Sequence, residues 1–278
     1  MRRARSLAVS AALTATAALA AAPVETVLHV PVATGAQHPA IEVTVFRPAG
    51  PGPFPIVVLS HGSPRKPAER RAHGRLRMVA QAEPFLAMGF AVVVPTRRGY
   101  GESEGAWAEG YGSCADPDYY RAGLETARDV RSAVDAVRGA PWADGTRIVL
   151  VGQSAGGFGS VAAATQPLAG LIGVVNFAGG RGSFAPDHVC SAPRLVQAMQ
   201  RYGEAARVPE LWIYSANDRY FAPSLAQRMY QAFVHAGGRA EFVEAPPAGL
   251  DGHAYFARAI DDWTPRVARF LERIGARR

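Results

Sequence analysis

Short apolar runs recur along the chain, separated by longer stretches in which apolar positions are spaced for one face of a helix. Residues 27–32, 41–47, 56–60, 90–94, 148–151, 171–177, 210–215 and 240–244 read as strands. The runs Ile56-Val57-Val58-Leu59 and Ile148-Val149-Leu150-Val151 do not alternate with polar residues, the pattern of strands covered on both faces. Helical spacing appears over 78–88, closed by Gly89, and over 119–137, where Leu124, Val130, Val134 and Val137 stand among charges. A helix-compatible stretch covers 160–165, a further helix 224–235, and Val267, Phe270, Leu271 and Ile274 predict a last packing helix from Pro265. The basic stretch 65–77 reads as a solvated loop, and 99–120 and 179–209 as two long loops. Strands alternating with helices predict an α/β fold with a mostly parallel sheet of about eight strands, helices on both faces and a short loop cap. No repeat, low-complexity segment or linker divides the chain, so one catalytic domain is expected over 21–278.

The first residues break this pattern. Met1-Arg2-Arg3-Ala4-Arg5 is basic, 7–22 carries no charge, and Ala18-Leu19-Ala20 fits a small-x-small cleavage site. This predicts a secretory leader over 1–20, too short and alanine-rich for a membrane span and with no nearby cysteine for a lipid anchor. Export to the periplasm or beyond, with no stable membrane anchor, is the expectation. With 278 residues, 49% of them hydrophobic, the chain has ample material for a core. It holds 30 basic and 23 acidic residues; removing the leader's three arginines leaves 27 against 23, too mild and scattered a surplus to predict nucleic-acid binding. Two cysteines, Cys114 and Cys190, are an even count, which favours a disulfide in an exported chain. No C-x-x-C pair or His-rich cluster is present, so neither a metal nor a cofactor is expected.

The chemistry centres on Gly152-Gln153-Ser154-Ala155-Gly156, a G-x-S-x-G pattern between a predicted strand and a predicted helix. A serine at so sharp a turn adopts a strained backbone, and side chains two positions either side would clash, which requires glycine at both. Ser154 is therefore the candidate nucleophile, and it needs an imidazole to take its proton and an anion to orient that imidazole. His253 lies late, after the last predicted strand, in a Gly-flanked loop. His61 is expected to shape the loop after the third strand, and His29, His38, His73 and His235 lie on early or helical segments, while His188, in a long loop, stays open. For the acid, Asp218 follows its strand directly, with Asp251 and Glu244 as rivals; Asp251 is too near His253 in sequence to face its ring. The order Ser154, Asp218, His253 then runs nucleophile, acid, base. The amide of Ala155 and one from His61-Gly62-Ser63, assigned to Ser63, are the candidate oxyanion donors.

Taken together, LSHGSP (59–64), PTRRGYGES (95–103), GQSAGG (152–157), SANDRYF (215–221) and DGHAYF (251–256) resemble an α/β-hydrolase of the dienelactone-hydrolase and prolyl-oligopeptidase-like branch. Two departures stand out. Ser154 replaces the cysteine of dienelactone hydrolases proper, and Thr96 stands where the D-x-R-G-x-G-x-S pattern has aspartate, which leaves Arg98 as a loop anchor. The chain also has no room for an oligopeptidase propeller. The strand order that the resemblance implies sets the strands before Cys114 and Cys190 three spacings apart, roughly 14 Å, so a Cys114–Cys190 bridge would pull two loops together over Ser154.

These readings predict a serine hydrolase that cleaves a small-molecule carboxylic ester through an acyl-enzyme. An acyltransferase or a small peptidase or amidase would use the same residues. A non-catalytic binding protein is disfavoured by the complete set, and an aspartate-nucleophile dehalogenase is excluded by Ser154. Trp107, Tyr111, Phe184 and Tyr202 are expected either to line an acyl pocket or to pack the two long loops together.

Overall fold

The computed structural model describes residues 22–72 and 74–277. The expected leader and His73 lie outside them. Eight strands form one sheet in the order β1-β2-β4-β3-β5-β6-β9-β10. They are β1 (Val24–Pro31), β2 (Ala40–Arg47), β3 (Phe54–Ser60), β4 (Ala91–Thr96), β5 (Ala143–Gln153), β6 (Leu171–Phe177), β9 (Glu210–Ser215) and β10 (Ala240–Ala245). β2 runs antiparallel to both β1 and β4, and every pairing from β4 through β10 is parallel.

The uninterrupted apolar strands have the two-sided burial that their composition requires. Ile56, Val58, Ile148 and Leu150 join one core with helices α3 (Tyr119–Val137), α4 (Ala155–Ala163), α5 (Ala192–Ala205) and α6 (Pro223–His235). Their neighbours Val57, Leu59, Val149 and Val151 join a second core on the opposite face with α2 (Val79–Ala87), α7 (Tyr255–Arg258) and α8 (Ile260–Arg273). Successive strand side chains point to opposite faces, so each strand contributes to both cores. α3 starts where Asp118 accepts a hydrogen bond from the Arg121 amide at 2.9 Å, and its apolar stripe faces α4 and the sheet.

Three sequence expectations need correction. The stretch 179–209 is not one loop: a two-stranded hairpin, β7 (Ser183–Ala185) with β8 (His188–Val189), is followed by the 14-residue α5. Its buried Leu195, Ala198, Met199 and Tyr202 keep helical spacing, and Pro193 sits in the first turn, where its missing N–H has no partner to lose. α4 begins at Ala155, directly after Ser154, rather than at residue 160; the run of small residues hid its start. α8 begins at Ile260, five residues before Pro265, with Asp261 and Asp262 suited to the positive end of the helix.

Candidate active site

The turn from β5 into α4 is set by backbone packing. Ser154 has φ 54° and ψ −122°, a conformation costing about 1–3 kcal/mol that the surrounding structure must hold. Its N–H donates to the Phe177 carbonyl at 2.9 Å, and its own carbonyl accepts from the Phe158 and Gly180 amides. A Cβ on Gly152 would lie 2.4 Å from Gly156, and one on Gly156 would lie 2.1 Å from the Ser60 carbonyl. Both glycines are thus dictated by close backbone approach, as the pattern predicts. The α4 amino terminus, with the Ala155 amide first in line, opens into the same space.

Asp218 and His253 meet at the ends of β9 and β10. His253 Nδ1 lies 3.1 Å from Asp218 Oδ2, with both residues buried. Asp218 Oδ1 accepts from the Tyr220 and Phe221 amides at 2.7 and 2.9 Å, which aims the other oxygen at the ring. The Tyr220 ring lies flat on the His253 ring, centroids 3.8 Å apart. Gln153, the residue before Ser154, donates to the His253 carbonyl at 2.7 Å and so ties the two turns together. The rivals are placed elsewhere. Asp251 accepts from the backbone amides of His253 and Arg219, and Glu244 is exposed. The exposed His188 bonds the Pro186 carbonyl.

The loop after β3 packs against Ser154: a Cβ on Gly62 would sit 3.4 Å from Ser154 Cβ. His61 shapes this loop, as expected. Its Nε2 accepts the Arg97 amide at 3.2 Å, so Nδ1 carries the proton and donates to the Gly62 carbonyl at 2.7 Å. Burial, reinforced by Arg97, holds its pKa well below the ordinary histidine value and keeps the ring neutral. Fixing the Gly62 carbonyl fixes the plane of the Gly62–Ser63 peptide, and with it the direction of the Ser63 N–H. Ser63 Oγ in turn is hydrogen-bonded to the Tyr100 hydroxyl at 2.8 Å.

Behind Tyr100 lies a buried ionic cluster with no counterpart in the sequence expectations. Glu109 pairs with both Arg97 and Arg181 and also accepts from Tyr100. Burial alone would raise the Glu109 pKa, but the two guanidinium groups hold it below the ordinary carboxylate range. Arg98 anchors its loop through Asp129 and Glu125, the role expected of it. Burial pushes Asp129 up to about 6 against the pull of Arg98.

Ser63, Ser154 and Ala155 share a cavity of about 440 Å³, with Tyr220 and Phe221 on the His253 side. Trp107 and Tyr111 line it. Tyr202 does not: it is fully buried against Phe158 and Tyr120, a core residue of α5. Phe184 is exposed and outside the lining. Nor is the stretch 65–77 merely solvated, because Arg65, and Arg70 on the short α1 (Glu69–Ala72), reach the cavity wall. Cys114 and Cys190 form a disulfide with a Cα separation of 4.8 Å. The loops it joins both supply cavity wall, Gly110–Gly112 and Gly180–Ser183, while the cysteines themselves stand outside the lining. Among the described residues no group of three His, Cys, Asp or Glu is placed to hold a metal ion, and no helix is long and apolar enough to cross a membrane.

A family model described as X-Pro dipeptidyl-peptidase (S15 family) matches residues 39–206, which includes the Ser154 turn and ends before Asp218. No curated protein matches the chain in sequence. Solved structures share its fold. A Pyrococcus furiosus esterase is 14% identical with a TM-score of 0.61, over 90% of this chain and 93% of that one. A Klebsiella pneumoniae protein assigned as a dienelactone hydrolase is 18% identical with a TM-score of 0.60, over 92% and 99%. A Pyrococcus horikoshii acylaminoacyl peptidase is 17% identical with a TM-score of 0.65, over 91% of this chain but 42% of its own longer one. With these neighbours the chain shares the α/β-hydrolase fold.

Proposed function

We propose that this chain, which belongs to the X-Pro dipeptidyl-peptidase (S15) family, is an exported serine hydrolase that cleaves carboxylic esters through an acyl-enzyme. The observation that carries the reading is the Asp218–His253 pair, tied through Gln153 to a strained Ser154 turn that lines a cavity. In this reading Ser154 Oγ attacks the ester carbonyl while His253 takes its proton, and Asp218 holds the ring through Nδ1 and offsets the charge it gains. The amides of Ala155 and Ser63 receive the developing oxyanion. His253 then protonates the departing alcohol, and water attacks the acyl-enzyme along the same path in reverse. The Cys114–Cys190 bridge and the leader-like first twenty residues support export into an oxidising compartment.

The family description and the acylaminoacyl peptidase neighbour favour a second reading, amide or peptide cleavage by the same three residues. One experiment serves both: turnover of a p-nitrophenyl ester and of a matched p-nitroanilide, by the wild type and by Ser154→Ala, Asp218→Asn and His253→Ala. Each variant is expected to lose several orders of magnitude in kcat with its melting temperature kept, and a fluorophosphonate should label Ser154 in the wild type alone. Ester turnover that survives Ser154→Ala would sink the proposal. Preferred cleavage of the anilide would move it to the second reading.

A further inference from the structure

Three arginines, Arg65, Arg70 and Arg181, line the cavity that Ser154 lines, and no acidic side chain does. Among the described residues, Arg65 and Arg70 make no ion pair. The Arg65 guanidinium lies 3.5 Å from the Tyr220 ring centroid and donates to Ser183 Oγ at 2.8 Å. The Arg70 guanidinium lies 3.4 Å from the Trp107 ring centroid. Stacking on a rigid aromatic face restrains a long side chain and shields it from water, while leaving most of its N–H donors free. Arg181 is paired, but its partner Glu109 also serves Arg97, so two buried guanidinium groups share one carboxylate. Each of the three cavity arginines also keeps a buried Nε–H with no acceptor. These Nε atoms are closed to solvent, so an anion in the cavity would meet the terminal nitrogens of Arg65 and Arg70 instead.

We infer that the substrate carries an anionic group of its own, a carboxylate held by Arg65 and Arg70 while the ester carbonyl meets Ser154. This rests on the ester-hydrolase reading and narrows it. The arrangement also opposes a substrate presenting a free ammonium, for which the described lining offers three like charges and no anion.

The test uses two sets of esters matched in shape. On the acyl side these are the 4-nitrophenyl monoester of adipic acid, 4-nitrophenyl hexanoate and 4-nitrophenyl 6-aminohexanoate. On the alcohol side they are 4-acetoxybenzoate and 4-methylphenyl acetate. The anionic member of at least one set is expected to show a kcat/KM about tenfold or more above its neutral partner, the effect of one charge-assisted hydrogen bond. The aminohexanoate should be the poorest of its set. In Arg65→Gln/Arg70→Gln the anionic-to-neutral ratio should fall to near one, whatever the change does to the neutral ester, and Arg70→Lys should keep part of it. No anionic preference in either set, or a preference that survives the double variant, overturns the inference. The absence of a wild-type preference overturns the inference by itself, so the test stays decisive against it even where the double variant fails to fold, and Arg70→Lys then reads the arginine's part. Failure of the ester reading is told apart by the neutral esters: if the wild type turns over none of the panel, the ester reading has failed and not this one alone.

Discussion

Two glutamates are buried to the same degree at opposite ends of the sheet, and they are held in opposite charge states. Glu109 lies beyond the carboxyl end of β4, beneath the cavity, between Arg97 and Arg181. Glu210 opens β9 at the amino end, where its one hydrogen bond comes from the Trp212 indole at 2.6 Å and its other oxygen has no partner. Burial pushes the Glu210 carboxyl up to about 8, so it is neutral at physiological pH, whereas the arginines keep Glu109 ionised. Burial alone therefore does not decide charge here; the partners do. At the amino end, Glu210 is buried with no cation beside it among the described residues and stays neutral. The carboxyl end of the sheet keeps buried charge, and that charge sits under the cavity.

The strongest way to break this contrast is Glu109→Gln. It would leave Arg97 and Arg181 buried without an anion, and a loss of about 3–5 kcal/mol in urea-unfolding stability is expected. A loss below about 1 kcal/mol would mean that solvent already screens the cluster.

Glu210→Gln should act in the opposite direction. The folded state holds the Glu210 proton up to about pH 8, while the unfolded chain releases it near 4.5. This group's contribution is at its best below 4.5, declines as pH rises toward 8 and then levels off. The glutamine variant keeps the indole's acceptor without the charge. At pH 8 it should be more stable than the wild type by on the order of 3 kcal/mol, and near pH 4 the two should converge. Thermal melts across that range read the difference; parallel curves would show that Glu210 does not titrate as described.

The smallest effect sharpens the link between cluster and site. Tyr100→Phe removes the hydroxyl that donates to Glu109, bonds the Ser63 hydroxyl and accepts from the Trp107 indole. A loss of about 1–2 kcal/mol in stability is expected. If the cluster steadies the Ser63 loop, kcat should drop severalfold with KM little changed. An unchanged kcat would confine Tyr100 to packing.

How legible each part was follows from how local its cause is. The sheet could be read because continuous β-branched runs can be satisfied only by two-sided burial. The Ser154 turn could be read because its two glycines answer to atoms within a few residues and to the adjacent strand β3. Asp218 and His253 could be singled out from their places in the loops that follow β9 and β10. The arginine wall was illegible: Arg65 and Arg70 come from one segment and Arg181 from another more than a hundred residues on, and no spacing rule joins them. Glu109 was missed for the same reason, since a lone acid in an aromatic loop looks solvated until both its arginines are seen. α5 was different. Its Leu195, Ala198, Met199 and Tyr202 spacing is visible in the sequence, but Gly179, Gly180 and Gly182 ahead of it read as the opening of a loop.

The Cys114–Cys190 bridge has a topological consequence. It closes a ring of chain that contains β5, the Ser154 turn, α4 and β6, while Asp218 and His253 lie outside on the free carboxyl-terminal arm. A protease that cuts a single bond anywhere between the two cysteines would open the ring without dividing the molecule. Ser154, Asp218 and His253 would stay on one covalent assembly, and a cut between Ser154 and Cys190 would part them only after the disulfide is reduced as well.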